Sequence, residues 1–135
     1  WGAAYDFAQS DALSLLMSQA YASQTILGAV CHGPLGLIGA TKPDGSALVE
    51  NVKMTGVTNK QLKQLLVGDT PKHPETELRN ANAKYEHNSG LIDMFKSHIV
   101  VDKEHLIVTG QNQKGGVEAA QSALELLQEK VGGKQ

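Results

Sequence analysis

A single cysteine, Cys31, stands in the run Ala29-Val30-Cys31-His32-Gly33-Pro34. A small residue two before it and a glycine two after it give the pattern small-x-nucleophile-x-Gly. That pattern turns a strand sharply into a helix and lifts the nucleophile above the sheet edge. A helix opening at Gly33-Pro34 points unpaired N–H groups and its positive dipole end at the sulfur. Such surroundings favour thiolate, so the expected pKa lies below the free value of about 8.5. The N–H of His32 is placed as an oxyanion donor, worth roughly 3 kcal/mol where such donors have been removed. Its ring is placed as an acid/base beside the sulfur. A lone cysteine in an apolar strand is otherwise an inert packing residue, and a histidine at a helix start can simply pack there. The elbow pattern, Gly-Pro and the adjacent histidine favour a reactive Cys31.

The remaining polar residues carry weaker signals. His73, Glu75 and Glu77 follow Pro71 and could orient His32, line a pocket, or form a solvated helix start, where acids are favoured in any case. His87, His98 and His105 lack the spacing of metal ligands and read as surface residues. Gly110, Gly115 and Gly116 lack the Gly-Lys-Ser/Thr ending of a phosphate loop.

The elements that must position Cys31 follow from periodicity. Ser10 or Asp11 caps a helix with Leu13, Leu16, Met17, Ala20 and Tyr21 at helical spacing. Residues 25–31 are apolar without alternation, as in a strand covered on both faces of a parallel sheet. Pro34 suits the first turn of a helix running to about Ala40. Turn chemistry at Pro43-Asp44-Gly45 separates it from short extended pieces at 47–49 and 52–55. Thr58 caps a helix with Leu62, Leu65 and Leu66, stopped by Gly68. A rigid loop at Pro71–Pro74, a short helix from Glu75 to Ala81 and a strand at 83–86 come next. Strands at 98–101 and 105–109 flank a turn at Asp102-Lys103-Glu104. After a loop at 110–116, a last helix carries Val117, Ala120, Leu124, Leu127 and Val131 on one stripe and ends at Gly132-Gly133. Strands alternating with helices define one α/β domain over residues 1–135, with a mostly parallel sheet.

Bulk properties narrow the function. The 135 residues are 41% hydrophobic and 19% charged, with a net charge of −2. That is a globular composition for one domain. No basic run tracks phosphates, so nucleic acid is not expected as a partner. No apolar stretch approaches the roughly 20 residues that span a bilayer. One cysteine cannot form an internal disulfide, which makes a cytoplasmic setting the default expectation.

The elbow Ala29–Pro34 resembles the Cys-His-Gly-Pro elbow of the PfpI superfamily, which shares the class I glutamine amidotransferase-like fold. Residues 1–7, Trp-Gly-Ala-Ala-Tyr-Asp-Phe, resemble that family's Gly-rich loop. Met54-Thr55-Gly56-Val57-Thr58 resembles its Thr-Gly-Phe-Thr segment. Pro71 to Leu78 with Ala83-Lys84-Tyr85-Glu86 resembles its Pro-x-x-x-Glu-x-Glu-Leu…Gly-Ala-Lys-Tyr stretch, and Val108–Asn112 its Thr-Gly-Gln-Asn. The motifs keep family order, and the chain most resembles the chaperone and glyoxalase III branch.

The resemblance implies a flavodoxin-like three-layer sandwich, a homodimer, and a Cys31 thiolate beside His32, with Gly2, His32 and Gly33 on the oxyanion side of the elbow. It implies chemistry without metal, glutathione or another cofactor. Cys31 adds to the aldehyde of a small reactive carbonyl such as methylglyoxal, a proton moves between the two carbons through an enediol, and the thioester is hydrolysed to lactate. In the family a glutamate before the Gly-rich loop shares a proton with the sulfur. Nothing here matches it, so the chain reads as N-terminally incomplete, with early strands missing and an edge for a missing segment or second chain to cover. The acid that some members place after the Thr-Gly-Phe-Thr segment is replaced by Asn59-Lys60-Gln61-Leu62, which leaves Glu75 or Glu77 as the supporting acid. A deglycase-like activity, a stress chaperone, a peptidase or amidohydrolase on the same elbow, and a cysteine redox sensor are the alternatives.

Overall fold

The computed structural model describes residues 1–88 and 96–133. A one-turn helix, α1 (Ala3–Asp6), and a 3-10 turn (Phe7–Gln9) lead to Ser10, whose hydroxyl accepts the Leu13 N–H at 3.2 Å. That cap satisfies a donor the first helical turn leaves unpaired and starts α2 (Asp11–Ala22) where the sequence predicts. The apolar run that follows becomes strand β1 (Leu27–Val30).

After the elbow the structure departs from expectation. No α-helix runs to Ala40; Gly33–Leu37 forms a short 3-10 helix, with Pro34 at its start. The expected extended piece at 47–49 is a turn, tied to the chain before it by an isolated bridge between Thr41 and Ala47. Strand β2 is only Lys53–Met54. Helix α3 (Asn59–Gln64) opens on a capping box: Thr58 accepts the Gln61 N–H and the Gln61 side chain accepts the Thr58 N–H. It ends before Gly68, because Leu66 itself takes the left-handed conformation (φ +58°) that usually falls to glycine. Helix α4 (Pro74–Asn80), β3 (Lys84–Tyr85), β4 (Ile99–Asp102) and β5 (Ile107–Gly110) follow, and a 3-10 turn (Gln113–Gly115) leads into α5 (Gly116–Gly132).

β5 is central, with β1 parallel on one side and β4 antiparallel on the other. β2 and β3 pair in parallel as a second, small sheet. Side chains join the two sheets: Thr109 Oγ1 accepts the Thr55 N–H at 2.8 Å, and Asp102 Oδ2 accepts the Lys53 N–H at 2.8 Å. Successive residues of β5 serve opposite faces. Ile107 packs with Leu27, Leu48, Val52, Met54 and Leu78, while Val108 packs with Ala119 and Leu126 of α5. The sheet is therefore covered on both faces, which gives the three layers expected of an α/β sandwich with parallel strands.

α5 turns differently from its predicted stripe. Ala119 and Leu126 are its buried residues, whereas Val117, Ala120, Leu124, Leu127 and Val131 are exposed. The two sets lie on different sides of the helix, and the small Ala119 lets α5 approach the sheet closely. No described helix is long and apolar enough to cross a membrane.

Candidate active site

Cys31 leaves β1 with φ +60°, a left-handed conformation that costs a non-glycine residue of order 1–3 kcal/mol. Two backbone hydrogen bonds hold it there. Its N–H donates to the Gly110 carbonyl at 2.9 Å, and its carbonyl accepts the Val57 N–H at 3.0 Å. Small residues make the turn sterically possible. A Cβ on Gly33 would lie 3.3 Å from the Ala29 Cβ, and one on Gly56 would lie 3.1 Å from Pro74 Cβ and 3.2 Å from the Cys31 carbonyl. A Cβ on Gly110 would come within 2.9 Å of Val30. The Tyr85 hydroxyl braces the same corner by donating to the Gly56 carbonyl at 2.8 Å. The motifs around Gly56, Tyr85 and Gly110 thus converge on one cysteine.

Cys31 Sγ lies 3.4 Å from His32 Nδ1. His32 is only 4% exposed, and its Nε2 is buried without a hydrogen-bond partner. Burial pushes the Cys31 thiol above its ordinary pKa; the backbone N–H of His32, hydrogen-bonded to the sulfur, pulls the other way and is outweighed. Burial likewise holds the His32 imidazole below its ordinary value. The expected low-pKa thiolate is therefore replaced by a neutral thiol beside a neutral imidazole. The reason is desolvation of the sulfur, which outweighs the N–H of His32 beside it.

The sulfur and imidazole open into a cavity of about 460 Å³ lined by Trp1, Val57, Gln61, Leu65, Asn112, Gln113 and Lys114. Its walls are largely apolar, with amides on one side. Asn112 is fixed by accepting the Lys114 N–H at 3.0 Å. Gly2 caps α1, and its carbonyl accepts the Tyr5 N–H at 2.9 Å; Trp1 beside it reaches the cavity.

The candidate acids are occupied elsewhere. Glu75 accepts the Asn59 N–H at 2.9 Å and pairs with Arg79 at 3.1 Å; Glu77 pairs with Lys72 at 3.3 Å. Neither lines the cavity. His73 bonds the Gly68 carbonyl at 3.0 Å. Of the three histidines read as surface residues, only His87 is exposed. His105 Nδ1 is 2.9 Å from Asp102, and His98 buries Nε2. Among the described residues no His/Cys/Asp/Glu group is arranged to hold a metal. Gln61, Asn112 and Lys114 were missed as site residues. The Asn112 signal lay in the Thr-Gly-Gln-Asn motif, at the carboxyl end of a strand that neighbours β1.

The fold is that of a flavodoxin-like α/β protein, with Cys31 at the carboxyl edge of its sheet. No family model matches the chain. Over 93% of its length it is 29% identical to a protein named glutathione-independent glyoxalase from Schizosaccharomyces pombe, covering 53% of that protein. The crystal structure of the 24 kDa Rapid Encystment Protein of Francisella tularensis superposes with a TM-score of 0.82 at 27% identity, over 93% of this chain and 54% of that one. Glyoxalase III from Candida albicans superposes equally well (0.82) over 93% and 53%, at 24% identity, a likeness of fold. Motifs, fold and relatives together support assignment of the chain to the PfpI superfamily. The chain spans about half the length of the relatives it matches.

Proposed function

We propose that this chain carries the cysteine centre of a glutathione-independent glyoxalase acting on small α-oxoaldehydes. The observation that carries the reading is the Cys31–His32 pair, 3.4 Å apart, at the floor of a small cavity. The name of the fission-yeast relative supports the same chemistry.

The pair starts neutral, so His32 Nδ1 acts as general base. It takes the thiol proton while Sγ adds to the aldehyde carbon, and the carbonyl oxygen becomes the hemithioacetal hydroxyl on reprotonation. The backbone N–H of His32 faces the sulfur and is positioned to steady the developing oxyanion. A base then removes the C–H proton of the hemithioacetal carbon, and the resulting enediol is reprotonated on the neighbouring carbon. This leaves a thioester and a hydroxyl. Water cleaves the thioester, which frees Cys31 and releases lactate when methylglyoxal is the substrate. Methylglyoxal plus water gives lactic acid, with no redox partner. The cavity has more than enough room for a substrate of a few heavy atoms, and its apolar residues Val57 and Leu65 can take a methyl group.

The test is lactate formation from methylglyoxal without glutathione, for the chain and for Cys31→Ala. Turnover that vanishes in the variant is the expected result. Equal turnover in both, or none in a folded chain, would overturn the reading.

A further inference from the structure

A second polar cavity, about 400 Å³ in volume, lies at the end of the sheet away from Cys31. Asp102 stands in its wall; it pairs with Ile107 at the start of β5, and Ile107 pairs in turn with Leu27, the first residue of β1. Cys31 follows the last residue of β1, so the two cavities sit at opposite ends of the sheet.

The charged groups of this second cavity are unevenly satisfied. Asp102 is buried and uses both oxygens within the chain. Its Oδ2 accepts the Lys53 N–H at 2.8 Å, and its Oδ1 accepts the His105 N–H at 3.0 Å and lies 2.9 Å from His105 Nδ1. Lys103 is paired with Glu129 at 2.8 Å. Lys53 and Lys84 differ from both. They are register partners on the parallel strands β2 and β3, so their side chains leave the same face, and both are exposed. Neither ammonium has an ion-pair partner among the described residues. Like charges held side by side on neighbouring strands repel, and an anion seated between them turns repulsion into attraction. His105 adds a third group. Its Nδ1 is turned to Asp102, which orients the ring, and its Nε2 has no partner among the described residues.

We propose that Lys53, Lys84 and His105 form a binding site for a phosphate group, either free or carried on a small hydroxylated molecule. The two ammoniums meet its oxygens through charge-assisted hydrogen bonds. A phosphate loses its second proton at about pH 6, so it meets Nε2 as donor when the imidazole is neutral and as acceptor when the imidazole is charged. Sulfate has no proton to give and can do only the second. The cavity has room for more than one phosphate group. Glu104, exposed on its wall, repels a bare anion but accepts from a hydroxyl, which favours a phosphate monoester over the free ion. This site does not depend on the glyoxalase reading.

Titration of the isotope-labelled chain, followed by NMR near neutral pH and at constant ionic strength, tests it. Saturable shifts at Lys53, Lys84 and His105 are expected with inorganic phosphate and with glycerol 3-phosphate. Tighter binding of the ester would assign the site to a monoester, and equal binding to the free ion. Lys53→Gln with Lys84→Gln should weaken phosphate about a hundredfold, taking each lost charge-assisted bond as about tenfold. Circular dichroism should not change, since both side chains are exposed. Should that pair fail to fold, Lys84→Gln alone is expected to give the tenfold loss. Lys72→Gln, away from the cavity, should leave binding intact. An absence of saturable shifts, sulfate bound as tightly as phosphate, or phosphate binding indifferent to the two lysines would each overturn the proposal.

Discussion

Sγ of Cys31 and Nδ1 of His32, neighbours in sequence, face each other at 3.4 Å. Adjacent residues rarely turn side chains toward one another in extended backbone, where they alternate across the sheet. Here the positive φ of Cys31 breaks the alternation. The substitution His32→Ala should leave the fold intact and lower turnover by about 10²–10⁴-fold, the usual range for a lost general base. Single-turnover kinetics with methylglyoxal measure it.

Because burial raises the Cys31 pKa, alkylation by iodoacetamide should keep accelerating as pH rises past the ordinary thiol value. A plateau below that value would show that the thiolate is stabilised after all. The same shift sets the sign of a stability effect. The folded state holds the thiol proton more tightly than the unfolded chain, so this stabilisation is complete below the unfolded pKa. It is lost as pH rises through the folded one.

His32 works in the opposite direction. Its folded pKa lies below the ordinary 6.5, so the unfolded chain takes up the proton first as pH falls. The contribution is present above about 6.5 and is lost as pH drops toward the folded value. Melting temperature measured across this window should fall less steeply in His32→Gln, which has no group to titrate.

Strain at the elbow is measurable without substrate. Cys31→Gly removes the side chain and relaxes φ +60°, whereas Cys31→Ala removes only the sulfur. Thermal unfolding should find the glycine variant about 1 kcal/mol the more stable, against the usual destabilising effect of glycine.

Gly56→Ala should act at a distance in sequence. Its Cβ would press on Pro74 Cβ at 3.1 Å and on the Cys31 carbonyl at 3.2 Å, both parts of rigid segments. Overpacking of this kind costs about 1–3 kcal/mol. If Cys31 carries the proposed reaction, activity should fall further than stability, because the displaced atom belongs to the Cys31 backbone; denaturant melts alongside turnover separate the two.

The elbow, the caps at Ser10 and Thr58 and the two strands around the turn at 103–106 were legible in the sequence because each is a local pattern, although Asp102, read as part of that turn, ends β4. Ser10 needs only Leu13 three residues on, and Thr58 only Gln61. What was not legible depends on the partner an element meets. The α5 stripe has helical periodicity, yet periodicity says which residues share a face and not which face the sheet covers. Ala119 is too small to announce itself as a packing residue. Glu75 read as a supporting acid from its motif, but its carboxylate caps Asn59 and holds Arg79, contacts set by how α3 meets α4. The burial that raises the Cys31 pKa depends on the segments packed around the elbow, which its local pattern does not show, and no residue type in Gly33–Leu37 distinguishes the observed 3-10 helix from an α-helix.

The two backbone hydrogen bonds on Cys31 run in different directions, one into β5 at Gly110 and one into the segment before α3 at Val57. The residue is clamped like an axle between two bearings, so only its side-chain torsion remains to turn. A group carried on the sulfur would therefore turn about an anchored pivot, in a cavity walled by His32, Gln61 and Asn112 among others.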